Sequence, residues 1–521
     1  MSLSSSWRLL ATALVVAFGS SFHSGYFMLV YNVPQDVMEQ FVNESTIRAW
    51  NQSMTELELT ATWSTVAGIN QVGRFISCFV APICADRLGR RNTLLIWAVP
   101  AALGFLLQYL AYPTKCYPLL AFGRLITGIY NGLVGIVVPL FLVEIAISSN
   151  WRGAVTRIHN VVTVLGSIVA LVLGLPELFG TPTRWAWLPL FPMPLLFLEI
   201  LWLTSVPESP LQLIESQRSA EEVEHSFRFY LGSGIGSGSD QHIPDWRSSA
   251  AFSRVVRGVE KKEYTKTSKK WYLFMTPEGR RLLVLWFALA LAASLAGGSL
   301  TNNYSTAILA RFRRFSTLAK YSSIIINVFK FLAVLFALYT IDRVGRRIML
   351  LFCSWMVMLC YVLLISIAVF TPTGSAIMFV RIWFVLVWTA TQYIVNSTAV
   401  LIVSESCQQH VRALGLALFK VVFHIVSVLV TITFPPLAAV SEVWSYSLLA
   451  IPYVVVIFYL SIVCPETGNV DMLSVEGEET GDYDEKTEQT PLIMAMNGGG
   501  GYTEPGFGNH SATPHEIGLK R

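Results

Sequence analysis

Residues 85–91 read "ADRLGRR", and residues 341–347 read "IDRVGRR". The two copies lie 256 residues apart, and each sits between two apolar runs. Arginines clustered in a short turn between apolar runs are a topology signal, because Lys and Arg collect in loops on one side of a membrane. The chain around them agrees. Of 521 residues, 54% are hydrophobic and 13% charged, where a soluble domain carries about 25% charged. Mean hydropathy is +0.55. A helix needs about 20 apolar residues to cross a bilayer. Twelve such runs occur, at 8–30, 61–84, 92–112, 118–144, 153–176, 185–206, 281–305, 321–341, 347–370, 378–403, 413–439 and 444–463. The first, "WRLLATALVVAFGSSFHSGYFMLV", is too long for a cleaved signal and ends in no small-residue cleavage site. It reads as a span. The fold class expected is all-α membrane.

Four segments follow: a six-helix bundle at 1–206, a cytoplasmic loop with short helices at 207–280, a second six-helix bundle at 281–464 and a disordered tail at 465–521. The loop holds the charged helical pattern "ESQRSAEEVEHSFRFYL", the flexible "GSGIGSGSD" and the basic "KKEYTKTSKK". The side carrying both arginine turns is read as cytoplasmic, together with both termini. Residues 31–60 then lie outside, where Asn43 and Asn51 head two glycosylation sequons. One loop runs against this orientation: the basic "RFRRFSTLAK", 311–320, falls outside.

The repeat extends beyond the turns. Glu144 with Arg152 recurs as Glu405 with Arg412, and "PESP" at 207–210 recurs as "PETG" at 465–468. Parallel six-span repeats about an axis along the membrane normal mark the major facilitator transporters. The chain resembles their sugar-porter branch, and among these the animal facilitative hexose transporters. The stretches that carry the resemblance are "GRLITGIYNGLVGIVVPLFLVEI", "VPESPLQLI", "NVPQDVMEQFVNES" and "YSTAIL", and it covers roughly residues 10 to 470. It implies twelve helices in two pseudo-symmetric bundles and facilitated transport by alternating access. It also implies a cytoplasmic charge network as inner gate. The positions matching that network are Asp86, Arg87, Arg91, Glu144, Arg152, Asp342, Arg343, Arg347, Glu405 and Arg412, with Arg90 and Arg346 beside them. Charge-assisted pairs there would form when the halves meet and break when they part. The plainer reading is that the arginines only anchor topology.

The substrate positions depart from the family. A Q-Q-L-S-G-I-N stretch in span 7 is here "ASLAGGS", Ala293 to Ser299, keeping only Leu295 and Gly297 of the pattern. Span 10 has "NSTAV" where the family ends a Gly/Pro-rich run in Trp, and span 11 has Phe423-His424 for Asn-Trp. Asn160 replaces a sugar-contacting Gln, next to His159, and Asn303 replaces a Tyr beside Tyr304. The candidate substrate-binding set is Arg74, His159, Asn160, Ser299, Asn303, Lys330, Gln392, Asn396 and His424.

Two of these are cations inside spans. Lys330 lies twelve residues before Asp342, and Arg74 twelve before Asp86. At 1.5 Å per residue that is ~18 Å from the turn, near the middle of a core ~30 Å thick. Arg74 and Lys330 are register mates of the repeat. Intramembrane cations usually face a bundle interior or a water-filled cavity, so the pair is expected to converge on a central site and hold an anion. Pairing with an internal carboxylate or snorkelling is the alternative, and Glu199 is the one clear intramembrane carboxylate. Lys420, nearer the cytoplasmic face, is read as snorkelling.

Three functions remain in view: a facilitative transporter of a small polar solute, a hexose by resemblance; a transporter of a small organic anion through Arg74 and Lys330; and a non-transporting nutrient sensor on the same scaffold. Phe27 stands where proton-coupled relatives carry an acid, which argues for passive transport. Seven scattered cysteines give neither a disulfide framework nor metal-ligand spacing. Net charge is +4 and gives no nucleic-acid signal. No nucleotide loop or catalytic triad appears, so no enzyme and no cofactor is expected. The partners expected are the substrate and the lipid bilayer, with endocytic adaptors as a further option. The tail's "EQTPLI", Glu488 to Ile493, resembles an acidic di-leucine signal. The location expected is the plasma membrane, with endosomal or lysosomal membrane as the alternative.

Overall fold

The computed structural model describes residues 7–146, 149–216, 218–231, 277–310, 316–370, 375–406 and 409–464. These described residues form one compact unit. The tail, its di-leucine pattern, most of the 207–280 loop and residues 311–315 lie outside the described set.

Helix follows helix throughout. α1 is Trp7–Leu29, with a π-helical turn at Ala17–Ser21. α2 is Gln35–Trp50, α3 Glu56–Leu88, α4 Arg90–Thr114, α5 Tyr117–Ile145 and α6 Ser149–Leu173. A 3-10 turn, Trp185–Leu190, leads into α7, Met193–Ser205. Two short helices follow, α8 (Pro210–Glu215) and α9 (Ala220–Leu231). The second half has α10 (Pro277–Leu295), α11 (Gly298–Ala310), α12 (Ser316–Val344), α13 (Arg346–Phe370), α14 (Ser375–Ser406), α15 (Gln409–Val440) and α16 (Glu442–Val463). Among the described residues, eleven spans are long and apolar enough to cross a membrane. The twelfth is α6, whose described apolar part is Ile158–Leu173. The architecture is that of a polytopic, all-helical membrane protein.

α2 was hidden in what reads as a loop. Its buried residues Met38, Phe41, Val42, Ser45 and Thr46 follow the three-and-four spacing of a helix with one covered face. Phe41 packs on Trp185, ring centroids 4.9 Å apart. α3 begins at a capping box: the Glu58 amide donates to Thr55 Oγ1, and the Thr55 amide donates back to Glu58 Oε2.

The arginine turns have one backbone. Gly89 has φ +91° and Gly345 φ +95°, a conformation that disfavours any residue with a Cβ. After each turn the register-equivalent arginine ties its helix to the end of the bundle's sixth span. Arg91 donates to the carbonyls of Leu203 and Thr204, at 2.6 and 3.0 Å. Arg347 donates to the carbonyl of Ser461 at 3.0 Å. The sequence repeat is thus a repeat of contacts.

The halves are joined at the end that carries α2. Asn32 Nδ2 donates to the Asn302 carbonyl at 2.7 Å, and Tyr321 donates to Glu177 at 3.0 Å. Gly68 of α3 presses on Ile432 and Thr431 of α15.

Candidate functional site

The seventh span is broken. α10 ends at Leu295, Gly297 takes φ +90°, and α11 begins at Gly298. A break at this depth frees carbonyls that lipid cannot satisfy. Two buried aromatics satisfy them: Tyr361 Oη donates to the Leu295 carbonyl and Trp388 Nε1 to the Ala296 carbonyl, both at 2.7 Å. A Cβ on Gly297 would come within 2.3 Å of the Trp388 ring. The positive φ and this close contact both require glycine at 297. Broken helices of this kind build the substrate sites of many transporters.

Below the break α14 presents Trp388, Gln392 and Asn396 one turn apart. Gln392 lies against Gly298, and Asn396 Oδ1 is buried with no hydrogen-bond partner. Asn327 Oδ1 and His424 Nδ1 are likewise unpartnered. Ser299 is buried, and its carbonyl accepts from Asn303 Nδ2 at 2.8 Å. His159 Nδ1 lies 2.7 Å from Ser21 Oγ, and Asn160 is half-buried. Buried polar groups are normally satisfied by protein or ordered water. The unpartnered ones here mark a polar interior fitted to water or a polar ligand.

The two cations expected to converge have separate neighbours. Lys330, 3% exposed, donates to Asn302 Oδ1 at 3.0 Å and lies 5.3 Å from the Tyr393 ring centroid. Asn302 is the residue whose carbonyl holds Asn32 of the other half. Arg74 instead donates to the Ser24 carbonyl at 2.9 Å and to Asn70 Oδ1 at 3.3 Å. Among the described residues the hydrogen-bond partners of Arg74 and of Lys330 are different residues in different halves. The reason is rotation. Equal depth fixes a residue's level in the membrane but not the side of the helix it faces.

Arg124 is a third buried cation, which the composition of its motif concealed. It donates to the carbonyls of Val66 and Ala67 and sits 5.1 Å from the Tyr31 ring centroid. Glu199 is buried too. It accepts from Ser20 Oγ at 2.5 Å, on the π turn of α1.

At the arginine-turn end, the partners described for the candidate gate residues belong to their own half. Glu144 pairs with Arg90, at 2.8 and 2.9 Å, and accepts from Ser209 Oγ at 2.5 Å. The sequence sets Glu144 beside Arg152, but the described ion pair is with Arg90. Glu208 of "PESP" accepts from the backbone N–H of Arg91 at 3.0 Å and caps the start of α4, a role that spacing did not reveal. A carboxylate suits the positive end of a helix. Asp86 and Arg87 are exposed. Arg343 stacks 4.1 Å from the Tyr339 ring centroid. The side chains of Arg152, Asp342, Glu405 and Arg412 lie outside the described set.

With this geometry in hand, likeness to known proteins can be stated. The family model described as "Sugar (and other) transporter" matches residues 12–477. The chain belongs to that family, and it is a transporter homologue rather than an enzyme. It is 28% identical over 335 residues to Solute carrier family 2, facilitated glucose transporter member 14 of Homo sapiens, covering 64% of this chain and 62% of that protein. It is 29% identical over 352 residues to member 4 of Homo sapiens, covering 65% of each. The matches therefore span a little under two thirds of these relatives. Among solved structures, the xylose transporter XylE from E. coli in its inward open conformation aligns with a TM-score of 0.68 at 18% identity, covering 90% of this chain and 99% of that one. That likeness establishes the major facilitator fold.

Proposed function

We propose that the protein is a facilitative transporter that moves a small polar solute, a hexose by its relatives, by alternating access. The observation that carries this is the broken seventh span, set against the unpartnered Oδ1 atoms of Asn396 and Asn327 and Nδ1 of His424. The hydrogen bonds at the α2 end, Asn32 to Asn302 above all, support a conformation closed there. Residues 1–206 and 281–464 are then the two rocking bundles, the 207–280 segment a cytoplasmic connector and 465–521 a cytoplasmic tail. Asp86, Arg87, Arg91, Glu144, Arg152, Asp342, Arg343, Arg347, Glu405 and Arg412 form the inner gate once the arginine turns approach each other.

Both termini face the cytoplasm, and the plasma membrane is the first location to test. Asn51 is the better glycan acceptor. It is exposed and ends α2 with φ +55°, whereas Asn43 Oδ1 accepts from the Met54 amide at 3.2 Å.

The test is uptake of labelled glucose into proteoliposomes holding the full chain. Saturable uptake, abolished by Gly297→Val, supports the reading. Ligand binding without uptake of any solute would replace it with a sensor.

A further inference from the structure

Glu199 is a buried carboxyl to which the transport reading gives no task. It sits on α7 and is 2% exposed. Among the described residues its one side-chain hydrogen bond comes from Ser20 Oγ at 2.5 Å, and Oε2 has no partner. Burying a carboxyl is costly, and this one directs its single bond at the π turn of α1. The two helices meet there: a Cβ on Gly19 would come within 2.3 Å of Glu199 Cβ. The Ser20 proton goes to Glu199, so the Tyr130 hydroxyl, 3.2 Å away on α5, donates to Ser20 Oγ. Two neighbouring helices thus pin one turn.

A π turn is a one-turn insertion in an α-helix and is frequent at functional sites. One extra residue rotates everything after it by about 100° around the helix axis. Holding the turn at Ser20 therefore sets the face on which the next residue lies. That residue is Ser21, whose Oγ lies 2.7 Å from His159 Nδ1 on α6. Ser21 is fully buried, and its hydroxyl has no other acceptor among the described residues. A buried hydroxyl proton is costly to leave unpaired, so it goes to Nδ1. The ring N–H of a neutral imidazole is then on Nε2, which makes no hydrogen bond among the described residues. His159 is half-buried, as is Asn160 beside it.

We propose that Glu199 is a positioning residue: through Ser20 and the π turn it sets the Ser21 hydroxyl, which holds the His159 ring with its Nε2–H free to donate to an oxygen of the solute. The proposal rests on the transport reading above and names a donor for its solute. Glu199 itself touches no solute.

The test measures uptake of labelled glucose by the full chain in proteoliposomes, with KM and Vmax taken separately. Wild type is compared with Ser21→Ala, Ser20→Ala, Glu199→Leu and Glu199→Gln. In parallel, magic-angle-spinning spectra of the ¹⁵N-histidine-labelled protein in liposomes report which nitrogen of His159 carries the proton, the signal being assigned by its loss in His159→Gln. Ser21→Ala, Ser20→Ala and Glu199→Leu are expected to raise KM about fivefold at near wild-type Vmax, the effect of one neutral hydrogen bond, and to lose the pure Nε2–H signature. Glu199→Gln, whose side-chain oxygen still accepts from Ser20, keeps the wild-type KM and signature. Should Glu199→Leu not fold, Ser20→Ala decides the matter. A lowered Vmax at unchanged KM in Ser20→Ala and Glu199→Leu marks a merely structural carboxyl and overturns the proposal, as does an unchanged His159 signature in both. If wild type takes up no glucose, the transport reading falls and the signature alone decides: a change in Ser20→Ala and Glu199→Leu upholds the positioning role, and no change overturns it.

Discussion

The ammonium of Lys330 donates to Asn302 Oδ1 at 3.0 Å, and the same asparagine accepts, through its carbonyl, the side chain of Asn32 at 2.7 Å. One residue thus couples a buried cation of one half to the closure with the other. A bond from a charged donor contributes about 1.5–3 kcal/mol and a neutral one about 1 kcal/mol. Lys330→Met loosens Asn302 and weakens the closure by about 1 kcal/mol, roughly a fivefold shift in the open-to-closed ratio. A cysteine at Ser64, buried beneath the closed end, reports it. Maleimide labelling of Ser64→Cys in detergent speeds up about fivefold in the Lys330→Met background, and an unchanged rate would sink the coupling.

Arg90 and Glu144 have side chains 3% and 2% exposed. Glu144→Gln removes the carboxylate that Arg90 pairs with, a loss of up to about 3–5 kcal/mol. The purified variant melts well below wild type. Arg90→Met combined with Glu144→Met recovers part of that loss, because both buried charges of the pair are removed together.

Gly89→Ala strains the first arginine turn by about 1–2 kcal/mol and drives a methyl to within 2.3 Å of Glu208 Oε2. Thermal unfolding of Gly89→Ala and of Gly89→Ala with Glu208→Ala separates the two effects. Measured against Glu208→Ala alone, which loses the α4 cap, the double variant loses less than the sum of the two singles if the clash counts, and additive losses leave strain alone.

Glu39 on α2 accepts from Gln35 Nε2 at 2.8 Å, but burial holds its carboxyl above the ordinary range, with Asp36 adding to the effect. A raised folded value means that the neutral carboxyl contributes its stability below the unfolded pKa. That stability is lost as pH rises through the folded value. Melting of the wild type therefore falls relative to Glu39→Gln as pH climbs from the usual carboxyl range. Parallel melting curves across that window would refute the assignment.

The fold was legible because it is written twice. Twelve apolar runs give the spans, and the matched turns, later seen as Gly89 and Gly345 with one backbone, give the repeat. The polar interior was legible only in depth. Counting back from the turns puts Arg74 and Lys330 mid-span, but helix rotation and helix pairing decide who faces whom. Those depend on close approaches such as Gly132 against the Arg74 backbone, where a Cβ would sit 2.8 Å from Cα. Arg124 was read only as part of a family stretch, and Glu208 only as a repeat marker, because both act through backbone groups that carry no sequence identity.

Arg74 and Lys330 hold equivalent positions, 256 residues apart, in the two copies of the repeat. They hold different company: a lysine bonded to Asn302, and an arginine bonded to Ser24 and Asn70. Duplication here preserved altitude and released orientation. One coordinate of the repeat thus carries two different sets of contacts, one reaching towards the seam with the other half through Asn302 and one kept within its own half.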